Sequence, residues 1–500
     1  MSDSALVSVG VLSVFMVATV ALGVAAARGR SATDLTEWSV GGRSMGLVLT
    51  LVLMAGETYT SFSYLGAAGW SYTNGLSGLY VVAYLSIGMS VSYVVGPILW
   101  SYAHRHGLHN ISDIAAHRFA APWLGALVAV LATVFILPYI QLQITGMGVV
   151  VATVSYGTIG LSLAYALAFV ISEAFILVSG LRGSAWVSVL KDSLVVITLA
   201  IVFGYVPLHY FGGYGALLHR LTAEHSAWLT LPGPANSALG MAWFISTALL
   251  NGVVYAIFPT QVAGFLGARG AQVLRRNAVL MPFYQVLLFV PVLLGLAALF
   301  VTPGLTNSNL ALFEMISKEM PAWLFGVIGA AGALSSIVPT AVFMLVIGTM
   351  WGRSVLGAHP RTAPRQRQLS QLVALLAGGL ALVMTYTFPN ALVRLSVLSY
   401  EGMAQLLPVV LIALLWRRMS ALAAVSGIAV GVALVFWFVF TDHDPFHGIN
   451  AGLLALAANL LVTVGLSLLR PADTPEDRMA QAETAVSAAP SREALQPSTT

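Results

Sequence analysis

Residues 44–70, SMGLVLTLVLMAGETYTSFSYLGAAGW, are long enough to cross a bilayer, yet their middle, AGETYTSF, is polar. It puts Glu57, Thr58, Tyr59, Thr60 and Ser61 at membrane depth. Backbone facing lipid cannot be irregular, and an ionisable side chain there is costly unless it faces protein or water. A polar run containing Gly56 inside an apolar helix therefore reads as a broken helix lining a site near the bilayer midplane, the mark of a secondary transporter. The competing reading is a packed polar kink that holds no ligand.

The rest of the chain supports a membrane setting. It is 58% apolar and 8% charged, with a mean hydropathy of +0.89. The fold class is all-α: a polytopic membrane protein with about thirteen spans at ~20 residues each. They fall near 5–27, 44–70, 76–101, 122–152, 155–180, 184–211, 236–260, 273–302, 320–352, 368–388, 391–416, 420–440 and 448–469. No polar stretch is long enough to fold alone, so 1–470 reads as one transmembrane domain. Residues 471–500, rich in Pro, Ala, Ser, Thr and Glu, read as a disordered cytoplasmic tail. The absence of cysteine excludes disulfides and thiol chemistry. The net charge of +4 does not point to nucleic acid, because the cations gather on one side of the membrane.

Alternate connections hold Arg28, Arg30 and Arg43, then Arg105 and Arg118, Arg182, Arg269, Arg353 and Arg361, and Arg417, while the opposite set holds little beyond Arg220 and Lys318. The positive-inside rule then sets the N-terminus outside and the C-terminus in the cytoplasm, in the plasma (inner) membrane. The outer connection 212–235 is either a cap on the outer mouth or a plain surface loop. The inner connection 102–121 carries His104, His106, His109 and His117 at spacings that fit no standard metal site, so it reads as a solvated juxtamembrane face.

Other ionisable residues lie in or near apolar spans: Glu173, Lys191, Asp192, Arg394 and Glu401. Lys191 is close enough to the inner end of its span to snorkel, and all five are open to a structural ion-pair role. Glu57 differs, because it sits in the helix break beside freed backbone groups, where a carboxyl can bind a cation or carry a proton. A second polar run, 329–341 (GAAGALSSIVPTA), reads as an interruption: Pro339 frees a carbonyl one turn earlier, and Ser335, Ser336 and Thr340 offer hydroxyls. Such oxygens suit a small cation, and the small residues also suit tight packing.

Taken in order, several motifs resemble the sodium:solute symporter family over about residues 5–470. They are TEWSVGGRS from Thr36, YLGAAGWSYTNG, SDIAAHRF at 112–119, SGLRGSAWVSVLKD at 179–192, PTQVAGFLGARGAQVLRR at 259–276, read as a loop, and 402–431 with Pro408 and Gly427. The resemblance implies a five-plus-five inverted-repeat, broken-helix core at about 44–416, one helix (5–27) before it and two (420–469) after it. It implies solute contacts at Thr58, Thr60, Ser63, Gln141 and Asn251, and ion coupling at Gly56, Glu57, Tyr59, Gly332, Ser335 and Ser336. One register of the eighth core helix makes Gly56, Tyr59, Gly332, Ser335 and Ser336 a sodium site. A register three residues on puts Val338 and Pro339 where hydroxyls are needed. Gln141 and Gln143, after Pro138-Tyr139, and GETYTSF resemble segments of the monocarboxylate permeases.

These readings converge on a symporter that imports a small organic solute, a monocarboxylate or amino-acid-like anion, by alternating access. The coupling ion is Na+ or H+, there is no other cofactor, and the partners are the solute and membrane lipid, with no obligate protein partner. A solute sensor of transporter fold is the alternative. An enzyme is disfavoured, since no Ser-His or HExxH arrangement lies at membrane depth.

Overall fold

The computed structural model describes residues 2–27, 35–234, 239–317, 319–356, 365–388 and 392–469. The expected tail at 471–500 and the residues Arg28, Arg30, Lys318 and Arg361 lie outside them. Helices dominate, and no strand forms among the described residues beyond two isolated bridges. In chain order the helices used below are α1 (Asp3–Ala27), α2 (Leu47–Thr58), α3 (Ala67–Asn74), α4 (Tyr80–Arg105), α5 (Ile111–Arg118), α6 (Pro122–Val154), α7 (Leu161–Phe211) and α8 (Tyr214–Glu224). They continue as α9 (Met241–Tyr255), α10 (Pro259–Gly267), α11 (Ala271–Gln285), α12 (Phe289–Val301), α13 (Ala322–Met350), α14 (Gln366–Thr387), α15 (Leu392–Ala404), α16 (Ala421–Phe440) and α17 (Ala451–Leu469).

Among the described residues, ten helices are long and apolar enough to cross a membrane, or eleven if α15 and Pro408–Leu415, bent by 44°, form one span. The run Phe62–Arg105 holds the end of one expected span and all of the next, and Leu161–Leu177 is a shorter apolar helix. Each of the thirteen expected spans thus has a helical counterpart. Helix α7 contains two of them, joined by a kink at Gly180 (φ 59°). A Cβ at Gly180 would lie 2.9 Å from the Trp38 carbonyl oxygen, so both the dihedral and the close approach require glycine there.

At the centre lies α13, whose most apolar window is entirely buried. It packs against α1, α6, α7 and α14. Its apolar surface continues all round, which is the pattern of a helix enclosed by other helices. Helices α16 and α17 pair with each other, and α17 rests on α15.

Beside the bent pair α15 and Pro408–Leu415, two further spans are broken among the described residues. The first breaks at Tyr59–Thr60, between α2 and the helical run that resumes at Ser61, and the second between α9 and α10. Their ends meet: Met45 N–H donates to the Gly267 carbonyl at 3.1 Å, and Arg269 N–H donates to the Met45 carbonyl at 2.9 Å. The start of one broken span is thereby tied to the end of the other, so the two run in opposite directions. The segment 259–267, expected as part of a loop, is the second half of a broken helix. Pro259 opens it because proline's missing N–H costs nothing at a helix start.

The interruption expected at 329–341 is absent, and α13 runs through Pro339 without a break. The hydroxyls turn back on the same helix. Ser335, Ser336 and Thr340 donate to the carbonyls of Ala331, Gly332 and Ser336 at 2.8, 3.3 and 2.6 Å, each four residues back on the same helix. Lys191 does not snorkel: it is 0% exposed and turned into the bundle. The connection after α7 docks through Trp228, whose Nε1 donates to the Tyr72 carbonyl at 2.8 Å, and Leu217 and Leu221 of α8 are buried.

Candidate functional site

The site begins with the accounting of backbone groups that the first break sets free. Tyr59 (φ −87°, ψ 87°) leaves the helix while its own N–H still bonds the Ala55 carbonyl at 3.0 Å. The Gly56 carbonyl receives the Lys191 ammonium instead of a backbone N–H. The Thr58 carbonyl accepts from the Ser63 hydroxyl at 2.5 Å. The Ser61 N–H donates to Gln143 Oε1 at 3.1 Å, and the Phe62 N–H donates to Thr60 Oγ1 at 3.1 Å. An unpaired buried peptide group is costly, so the break persists because side chains from α6 and α7 take the places of helical partners.

Lys191 also lies 3.6 Å from its neighbour Asp192, which is 6% exposed. Glu57, 8% exposed, buries both carboxyl oxygens with no hydrogen-bond partner, and so does Asp192. Around them stand Tyr59 and Tyr284, in edge-to-face contact with ring centroids 5.0 Å apart and each with an unpaired buried hydroxyl. One ammonium and two carboxyls therefore share the break.

Glu57 and Thr58 form one wall of a cavity closed by Tyr84, Tyr139, Tyr255, Phe258, Thr260, Gln261, Phe343 and Tyr400. Thr58 Oγ1 and the Tyr255 hydroxyl are 3.4 Å apart across it. The Tyr139 ring packs on Phe258, Phe343 and Tyr400 at 5.9, 4.8 and 6.4 Å between centroids. Thr260 and Gln261 lie in the first turn of α10, where unpaired helix N–H groups favour negative charge. The space open to a water-sized molecule is about 10 Å³, which is room for about one water, so this conformation is closed around the cavity.

Of the residues singled out in the sequence, Gly56, Glu57, Thr58, Tyr59, Thr60 and Ser63 converge at the break. Thr58 and Glu57 reach the cavity, while Thr60 and Ser63 close the backbone. Gln141 turns away and donates to the Met384 and Phe388 carbonyls at 3.3 and 2.7 Å, capping the end of α14. Asn251 is fully buried with both side-chain polar atoms unpaired. One turn before Tyr255 on α9, it shares that residue's face. Ser336 meets Ser61 (Oγ to Oγ 2.5 Å), and the hydroxyl of Ser335 returns to its own helix. The Gly332 carbonyl takes the Ser336 hydroxyl.

Sequence reasoning did not assign Lys191 to the break, nor Gln143 or the aromatic walls to the site. The adjacent Lys-Asp pair was the available signal for Lys191. For Gln143 it was the resemblance of the Gln141/Gln143 run to the monocarboxylate permeases, which did not separate one glutamine from the other.

On the Arg-rich side, Asp113 pairs with Arg353 (Nε to Oδ2 2.6 Å) and Arg43 donates to the Leu108 carbonyl at 2.8 Å. The face is not simply solvated: His109 is 7% exposed, with Nδ1 2.8 Å from Ser39 Oγ. Burial, then the Arg353 and Arg43 charges, push its pKa down to about 3. No cluster of three metal-binding side chains occurs among the described residues.

Comparison with known proteins is consistent across the chain. Residues 38–431 match the model of the Sodium:solute symporter family. An uncharacterized symporter of Bacillus subtilis (strain 168), YhjB, is 33% identical over 90% of this chain and 94% of its own length. A monocarboxylate transport permease protein of Rhizobium johnstonii is 26% identical over 92% of this chain and 96% of its own. In structure, a Na+-coupled sialic acid symporter, solved substrate-bound and outward-open, superposes with a TM-score of 0.76 at 15% identity, covering 94% of this chain and 98% of that one. That likeness establishes the broken-helix transporter fold.

Proposed function

The chain belongs to the sodium:solute symporter family, and from that premise we propose that it imports a small organic carboxylate by ion-coupled alternating access. The observation that carries this reading is the closed cavity between two broken helices, with the unpaired Glu57 carboxyl in its wall. Broken spans supply half-helix ends at the midplane, and those ends bind charged solutes and ions without a dedicated side chain for each charge.

In this reading a carboxylate solute lies against the first turn of α10, with Thr58, Thr260 and Gln261 donating to it. Asn251 joins once the cavity widens. The aromatic walls exclude water and limit size, and the coupling ion is taken up at the Gly56–Tyr59 break. The likeness to the Rhizobium permease supports a monocarboxylate over a sugar. The Arg-rich side faces the cytoplasm of a plasma membrane, with the N-terminus outside.

Counterflow tests this directly. Purified protein in vesicles preloaded with unlabelled solute is offered labelled acetate, propionate, pyruvate, lactate or proline. Transient accumulation of at least one short carboxylate is expected. Failure with every acid but success with proline would remove the carboxylate assignment. Saturable binding with no counterflow would favour a sensor.

A further inference from the structure

We propose that a second cavity, on the Arg-rich side, binds a phosphate-bearing anion supplied by the head group of an anionic phospholipid. It lies between α5, the start of α6 and the turn Trp351–Val355 that follows α13. It shares no lining residue with the solute cavity, and the proposal stands apart from the transport reading.

The cavity measures about 470 Å³ and opens at the surface. That is within the ~300–1,000 Å³ range of sites for small organic ligands. Its lining divides in two. Arg353, Ser354, Asp113 and His117 form a polar half, and Leu108, Pro122 and two alanines form an apolar half.

In the polar half Arg353 is engaged on one edge only. Its Nε donates to Asp113 Oδ2 at 2.6 Å, and among the described residues its terminal nitrogens make no hydrogen bond. A guanidinium offers a planar fork of N–H donors that matches two phosphate oxygens at once. Asp113 orients this fork, and its own oxygens are already turned to donors. Oδ2 also accepts the His109 N–H at 2.9 Å, and Oδ1 lies 3.4 Å from the Ser354 hydroxyl.

The charges leave an excess. Arg43 donates to the carbonyl of Leu108, a lining residue, and its charge acts on both Arg353 and Asp113. Two arginines against one aspartate leave one positive charge, and His109, with its pKa pushed down to about 3, adds none near neutral pH. A bound anion would balance that charge.

The depth points to a lipid as the source. The apolar run Pro122–Val154 starts at the cavity's lip, and the run Ala322–Val355 ends at it. Trp123, next along α6, is 53% exposed. Tryptophan gathers at the height of the lipid head groups, and basic pockets between spans on the cytoplasmic side suit anionic head groups. A free anion needs only the polar half of the cavity. A phospholipid also lays its glycerol and first methylenes along the apolar half.

The test uses the full-length protein, purified and delipidated in dodecyl maltoside. Its melting temperature is followed with added dioctanoyl phosphatidylglycerol, dioctanoyl phosphatidylcholine or inorganic phosphate at equal ionic strength, and mass spectrometry counts retained lipid. Phosphatidylglycerol is expected to be retained and to give a saturable rise at least threefold larger than phosphatidylcholine. Inorganic phosphate is expected to need at least tenfold higher concentration. Pro122→Glu sets a carboxylate at the lip, where the first turn of α6 tolerates an acid. The melting temperature without lipid should therefore hold, while the response to phosphatidylglycerol falls at least fivefold. Arg353→Gln should lose the response as well. Equal responses to the two lipids, no retained phosphatidylglycerol, or a response kept by both variants would overturn the proposal. Inorganic phosphate matching phosphatidylglycerol would overturn the lipid as the source.

Discussion

Two polar stretches lie at membrane depth, 55–63 and 335–340, and only the first breaks its helix. Both contain small hydroxylated residues, and the second even carries a proline. The difference lies in where their hydrogen bonds go. In 335–340 every hydroxyl has a carbonyl four residues earlier within reach, and only Ser336 also meets another segment, at Ser61, so the helix absorbs most of its own polarity. In 55–63 the freed groups are met by Lys191 and Gln143 from other helices. A break at membrane depth is thus a property of the neighbours as much as of the sequence that breaks.

The largest effect is expected from removing the partner that holds the break. Lys191→Met leaves the Gly56 carbonyl bare and two buried carboxyls without a counter-charge. Loss of one member of a buried charged pair costs ~3–5 kcal/mol, to be read as a fall in melting temperature of the detergent-solubilised protein. Adding Asp192→Asn should restore part of the loss. No recovery would mean that Lys191 does not offset the acid beside it.

Gln143→Leu strips the Ser61 N–H of its acceptor and should cost about 1–3 kcal/mol by the same measurement, whereas Gln141→Leu should weaken only the end of α14. An equal or larger effect from Gln141 would reverse their assignment.

Ser335→Ala sharpens the comparison from the other side. Its hydroxyl serves its own helix, so the expected cost is within ~1 kcal/mol, with counterflow retained within about threefold. A collapse of transport would put Ser335 in the ion site after all.

The last effect belongs to neither stretch. His109 is held neutral by burial and two arginines, with its pKa pushed down to about 3 against an ordinary ~6.5. The unfolded chain binds a proton below about 6.5 while the folded one does not, so stability falls as the pH drops from there toward 3. Substitution by glutamine should flatten the decline in melting temperature between about pH 7.5 and 5. A decline unchanged in His109→Gln would assign the acid sensitivity elsewhere.

The sequence by itself determined the all-α membrane class, the run of spans and the break after Gly56, because each follows from local spacing. About 20 apolar residues are needed to cross the lipid, and polar side chains cannot lie in that depth without a purpose. It also marked Glu57 and Thr58, which line the cavity. What only the tertiary structure decided is which long-range partner each freed group finds. Lys191 lies 135 residues from Gly56, and Gln143 lies 82 from Ser61. Nothing local separates Gln143 from Gln141, or a proline that breaks a span from Pro339, which α13 carries without breaking. Those outcomes depend on which faces of neighbouring helices meet, and helix packing settles that across the whole bundle.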